Sequence, residues 1–156
     1  KELCKVRGTA VRRSLETLVK LFGTPCPQIR EEAYVSFLRL LSHHPQAPFL
    51  APEQTAKALT CLQDIIVDSE ASPLLRARLV ANLESHRTIK NDWIPLLVDT
   101  LEDSRPIVRA AAATALSKKA TKPTIDSPAF WTSAPTSKRN EEVREWKRWM
   151  VDRTPR

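Results

Sequence analysis

The chain has 156 residues, which is long enough for one domain with a sizeable core. Its hydrophobic content of 42% and charged content of 28% exclude an intrinsically disordered chain. The sequence contains no run of about eighteen apolar residues, so it predicts no transmembrane helix. The net charge of +7 comes from 25 basic and 18 acidic residues. Because the chain begins with Lys1 rather than Met, we expect it to be a fragment, a trimmed form or a processed product of a protein.

Apolar residues recur at helical spacing along most of the chain, and strand-type alternation is absent. In the first segment, for example, Val11, Leu15 and Leu18 fall on one face of a helix. In chain order, the predicted helices cover about residues 9–22, 27–43, 52–68, 73–86, 91–103 and 105–119. They form three consecutive pairs, over residues 9–43, 52–86 and 91–119.

The second helix of each pair opens with the same motif. The three segments read PQIREEAYVSFL from Pro27, PLLRARLVANLE from Pro73 and PIVRAAAATALS from Pro106. An aliphatic residue follows each proline two positions later, and the next residue is Arg30, Arg76 or Arg109. The prolines are 46 and 33 residues apart, which are periods typical of helical repeat proteins.

The same alignment predicts which side chains enter the core. The sixth residue after each proline is predicted to be a core residue, and these residues are Ala33, Leu79 and Ala112. The tenth is a larger core residue, and these are Phe37, Leu83 and Leu116. Alanine at such positions permits close helix packing without loss of helix propensity. We therefore interpret the alanine-rich segment after Pro106 as a helix that stacks on its neighbours.

The segment LEDSRPIVRAAAATAL, residues 101–116, resembles the HEAT repeat family, whose second helix follows a short turn and opens with Pro-x-Val-Arg and small residues. The resemblance covers about residues 9–119 and implies an all-α, right-handed α-solenoid of about three helix pairs. In that family an Arg and an Asp bond between neighbouring units. The resemblance thus implies a structural role for Asp103 and Arg109, and by extension for Arg30 and Arg76.

The C-terminal part has a different composition from the repeat domain at 1–119. Residues 120–139 contain three prolines and many Ser and Thr, which predicts a long loop, and a helix is predicted over about 140–151 within a tail that ends at 156. The aromatic and apolar residues of this part are Trp131, Trp146, Trp149 and Met150. Two interpretations remain open: these side chains cap the last repeat, or they bind a partner, since Trp is enriched at binding hot spots.

The basic excess lies at the two ends of the chain. Residues 1–50 carry a net charge of +4 and residues 101–156 one of +5, whereas the middle is acidic. The candidate contacts to nucleic acid are Arg12, Arg13, Lys118, Lys119 and Lys122. Because they do not form one continuous basic stripe, we expect nucleic-acid binding to be weak.

The sequence contains no His-x-x-His or HExxH pattern and no phosphate-binding glycine loop, so we expect no metal, cofactor, small-molecule substrate or enzymatic activity. Cys4, Cys26 and Cys61 are widely spaced, which favours free thiols in the cytoplasm or nucleus, although one pair such as Cys4 with Cys26 remains an alternative. The leading hypothesis is a protein-interaction or scaffold module; the alternative is a nucleic-acid-binding module.

Overall fold

The computed structural model describes residues 2–43, 50–83, 93–119 and 127–153. Within these ranges the chain is all-α, with eight helices and no strand. The helices are α1 (Glu2–Leu21), α2 (Pro27–His43), α3 (Pro52–Val67), α4 (Pro73–Leu83), α5 (Ile94–Thr100), α6 (Pro106–Lys119), α7 (Pro128–Ser133) and α8 (Thr136–Arg153). None of the described helices is long and apolar enough to cross a bilayer.

Proline sets the start of most of these helices. α2, α3, α4, α6 and α7 each have proline as their first residue, where the missing N–H would have no intrahelical partner in any case. At the start of α3, the Gln54 side chain also accepts a hydrogen bond from the Ala51 N–H at 3.4 Å. Many of the chain's prolines therefore mark the start of a helix rather than a loop.

The helices pack in two series. The first series is α2, α4, α6 and α7, and the second is α3, α5 and α8. Each helix contacts the next helix of its own series. Contacts of α1 with α2, α3 with α4 and α5 with α6 join successive helices of each predicted pair. The fold thus consists of helix pairs whose second helices contact each other consecutively.

The predicted core positions are all buried. Ala33, Leu79 and Ala112 are at most 2% exposed, and so are Phe37, Leu83 and Leu116. Between α1 and α2, the Phe22 ring packs edge-on against Tyr34 and Phe37, with ring centroids 4.6 and 5.5 Å away. The alignment on the three prolines therefore gave the correct faces of α2, α4 and α6.

Helix bounds differ from the predictions at several ends. α1 already begins at Glu2, and α5 ends at Thr100 rather than 103, because the N–H groups of Leu101, Glu102 and Asp103 bond three residues back and tighten the last turn. Residues 84–86 and 91–92 of the predicted fourth and fifth helices lie outside the described residues.

The predicted loop over 120–139 is wrong for its second half. Residues 128–133 form α7, and α8 begins at Thr136 instead of 140. The Pro135 carbonyl oxygen accepts hydrogen bonds from the Lys138 and Arg139 N–H groups, both at 3.1 Å, and so closes the first turn of α8. Proline and Ser/Thr content suggested a loop, but proline is favourable in a first turn. Residues 120–126 lie outside the described residues.

Candidate functional site

Arg76 links two helix pairs through buried hydrogen bonds. Its guanidinium is 4% exposed; Nε donates to the Ile66 carbonyl oxygen at 2.8 Å, and Nη2 donates to the Asp103 carboxylate. The other oxygen of Asp103 accepts the Arg105 N–H at 2.8 Å. The end of α3, the start of α4 and the turn after α5 are thus held together, and Asp103 pairs with the Arg of the preceding unit.

Arg109 makes the equivalent contacts one unit later. Its Nη1 donates to the carbonyl oxygens of Asp103 and Ser104 at 2.7 and 2.9 Å, and its Nε donates to the Trp131 carbonyl oxygen at 2.8 Å. Burial, assisted by the charge of Arg139, lowers the pKa of this guanidinium. Arg109 is therefore bonded within the protein on both sides, to its own turn and to α7.

Among the described residues, Arg30 hydrogen-bonds to its own turn, from Nη1 to the Thr24 carbonyl oxygen at 3.1 Å, and it is half-buried. Asp68, in the turn after α3, accepts a hydrogen bond from the Glu70 N–H at 2.9 Å and is exposed. The first unit thus differs from the second and third, in which Arg76 and Arg109 also reach the next unit or α7.

The aromatic residues of the C-terminal part are mostly buried. Trp131 is 0% and Trp146 1% exposed, and both belong to the same core cluster as Leu101 and Leu116. Trp149 lies half-buried against this core, with its ring 5.4 Å from that of Trp146, and Met150 is half-buried beside it. α7 contacts α6 and α8 contacts α5, so both helices pack against the last described helix pair.

An ion pair attaches the exposed side of α8 to α5. Lys147 Nζ lies 2.6 Å from Glu102 Oε2 and 3.7 Å from Asp99 Oδ1. The hydrogen bond to Glu102 raises the pKa of the Lys147 ammonium. Because these side chains are close to half exposed, they orient α8 more than they stabilise it.

The candidate basic residues do not gather in one place. Arg12 and Arg13 are exposed on α1, and Arg12 Nε bonds to Glu16 at 2.9 Å. Lys118 is exposed on α6. The side chain of Lys119 and the whole of Lys122 lie outside the described part of the chain.

In the described ranges, no group of three or more His, Cys, Asp and Glu is arranged to hold a metal ion. Cys26 and Cys61 are free thiols, and burial raises the pKa of Cys61. Cys4 lies in α1, but its side chain is outside the described residues, as are His44 and His86.

Two surface features were not predicted from the sequence. The first is an open apolar groove between α1 and α2, lined by residues that include Leu18, Leu21 and Ile29. The second is an ion pair between α2 and α4, in which Arg78 Nη1 and Nη2 lie 2.7 and 3.1 Å from the two oxygens of Glu32. The sequence alignment contained residues of both features. Ile29 and Glu32 lie in the segment that begins at Pro27, and Arg78 lies in the segment that begins at Pro73.

No family model, curated protein or solved structure matches this chain.

Proposed function

We propose that the chain is a right-handed α-solenoid of about three HEAT-like helix pairs and that it acts as a non-enzymatic protein-interaction module. The consecutive contacts of α2, α4 and α6 support the solenoid, as does the buried bond between Arg76 and Asp103 across two units. Solenoids of this kind offer long surfaces on which partners bind. The free thiols of Cys26 and Cys61 suit the reducing cytoplasm or nucleus.

The observation that carries the interaction function is an aliphatic side chain exposed at the same position in two units. Leu74 and Ile107 directly follow Pro73 and Pro106 and are 59% and 48% exposed. Because α4 packs against α6, a solenoid would place both side chains along one edge of the stack. Apolar groups that repeat along an edge form a surface for protein partners rather than for phosphates.

The test is capture of proteins by the immobilised chain from a nuclease-treated lysate, with quantification by mass spectrometry. The double variant Leu74→Asp/Ile107→Asp should lose the captured proteins and keep its fold, since Asp in a first turn favours a helix. Val151→Asp, at a residue 73% exposed on α8, is the matched control and should retain them. Equal capture by the double variant would contradict the role of Leu74 and Ile107, and capture seen only in a lysate without nuclease treatment would contradict the interaction function.

A further inference from the structure

The groove between α1 and α2 has a volume of about 410 Å³ and is open to solvent. Leu18 and Leu21 of α1 form one wall, and Ile29, Ala33 and Ser36 of α2 form the other. Ile29 is 49% exposed at its edge. Aliphatic surface in contact with water favours a partner that covers it with apolar groups.

The other two units show what covers this surface. At the position of Ile29, two residues after the proline, α4 carries Leu75 and α6 carries Val108, and both are buried. α2 packs against α4, and α4 packs against α6. A stack of helix pairs places the preceding helix on this face of α4 and α6. Among the described residues, the same face of α2 forms the groove.

We propose that this groove binds an amphipathic helix of a partner protein, in the way that α2 packs against α4. This proposal rests on the interaction function above and adds a second binding surface, separate from Leu74 and Ile107, with its class of partner. The bound helix presents an aliphatic stripe at i, i+3 and i+7, which is the pattern by which helices are recognised in apolar grooves. Ile29 and Ser36 are about two helical turns apart, so the stripe covers at least two turns.

The charges at the groove favour a helix over a phosphate-bearing ligand. Glu32 lies at the rim, and its carboxylate already accepts two hydrogen bonds from Arg78. The remaining lining residues named above are uncharged. Recognition is therefore apolar, and binding should change little with salt, unlike contacts to phosphates, which release counterions.

The probe is a fluorescent peptide with the sequence of α2, residues 27–43, because α2 is the helix that packs against α4. A hydrocarbon link between positions 36 and 40 keeps the peptide helical on the side away from Val35 and Leu38. Fluorescence polarisation against the full chain measures binding at low and high salt. Hydrogen exchange identifies the amides that the peptide protects.

We expect saturable, salt-insensitive binding that protects the amides of residues 18–36. Ile29→Asp should weaken the binding about tenfold, because about half of an isoleucine side chain is no longer buried in the complex. Val151→Asp is the control: a β-branched aliphatic residue, 73% exposed on α8 and outside the groove. It should leave peptide binding unchanged, and circular dichroism should show both variants folded.

The absence of saturable binding, or equal loss in both variants, would overturn the groove proposal. If proteins are captured through Leu74 and Ile107 while the peptide does not bind, the groove proposal fails and the interaction function stands. If the peptide binds at Ile29 and the Leu74→Asp/Ile107→Asp variant captures as much protein as the parent, the groove proposal stands and the surface at Leu74 and Ile107 does not carry the interaction.

Discussion

The buried guanidinium of Arg76 joins two helix pairs and is itself neutralised by the second pair. Its charge is acceptable in the core because the Asp103 carboxylate and the Ile66 carbonyl oxygen both accept its hydrogen bonds. Such a pair is costly to break from one side, since the remaining charge stays buried without its partner.

Asp103→Asn should therefore lower the free energy of unfolding by about 3–5 kcal/mol. Urea denaturation of the variant and the parent measures the change. The control is Glu32→Gln, which breaks an ion pair of similar geometry on the surface and should have a much smaller effect. Equal effects of the two substitutions would mean that burial of the Arg76–Asp103 pair does not matter for stability.

Ala112 tests the packing between α4 and α6. It is 0% exposed, so Ala112→Glu would place an uncompensated carboxylate in the core and cost on the order of several kcal/mol. The melting temperature should fall by roughly 10 °C. Ala81→Glu, at an exposed position of α4, should change it little. An unchanged melting temperature for Ala112→Glu would contradict the packing described for α6.

Cys61 offers a pH-dependent measurement. Burial, with a contribution from Asp64, raises the pKa of its thiol, so less of it is thiolate at a given pH than in the unfolded chain. Alkylation of Cys61 by iodoacetamide should therefore be slower in the native protein than in the unfolded chain. The increase of its rate with pH should also occur at a higher pH in the native protein. Peptide mass spectrometry at several pH values, with and without denaturant, measures this. Identical pH profiles in both states would refute the expected shift.

α2 shows how much the sequence predicts about a helix. Its predicted bounds, 27–43, agree with the structure because Pro27 marks the start and the apolar spacing continues to the end. α7 was missed because six residues with one proline and two hydroxyl groups carry no helical period. It is stabilised by tertiary contact with α6 and by the bond from Arg109 to the Trp131 carbonyl oxygen, and neither is visible in local sequence.

For the candidate sites too, the sequence predicts what a motif marks and misses what depends on tertiary contacts. Arg76, Arg109 and Asp103 were predicted as structural residues from the resemblance to HEAT repeats, and that role stays a prediction. The structure shows their buried hydrogen bonds within the protein. The bond between Lys147 and Glu102 was not predicted, because 45 residues separate the two and no motif relates them. Charge spacing predicts pairs within a helix, such as Arg12 with Glu16, but not pairs between distant helices.

α8 contains two neighbouring residues that separate packing from surface charge. Trp146→Ala should cost about 3–5 kcal/mol of unfolding free energy, because it removes a fully buried side chain. Lys147→Ala should cost less than about 1 kcal/mol, because the ion pair is half exposed. The raised pKa of Lys147 places that small contribution at neutral pH, and it is lost only as the pH rises through the raised value.

Chemical denaturation of both variants provides the comparison. A small loss for Trp146→Ala would show that α8 does not cover the last helix pair, and the aromatic residues would then be free to bind a partner.

The distribution of charge along the chain separates the two proposed classes of partner. The net charge is +7, but Arg12 and Arg13 lie on α1 while Lys118 lies on α6. Neutralising several phosphates at once requires basic groups on one surface. The chain should accordingly attract nucleic acid without recognising a defined site.

We expect binding to duplex DNA or RNA with a dissociation constant of roughly 10⁻⁴ to 10⁻⁶ M at physiological salt, falling steeply in affinity as salt rises. A salt-titrated mobility-shift assay measures this, and Arg12→Gln/Arg13→Gln should reduce the salt dependence. Tight, saturable binding at a defined stoichiometry would instead favour the nucleic-acid-binding alternative.

The two buried arginines, Arg76 and Arg109, donate hydrogen bonds to different kinds of acceptor in the segment that follows each of them. Arg76 bonds to a side chain, the Asp103 carboxylate, whereas Arg109 bonds to a main-chain oxygen, that of Trp131. Every residue has a carbonyl, so the second acceptor makes no demand on residue type. In the solenoid proposed above, a duplicated helix pair inserted between α6 and α7 would offer its own aspartate to Arg109, and its own arginine would take over the Trp131 oxygen. Gene duplication can thus lengthen such a chain by complete units while α7 and α8 keep their sequence.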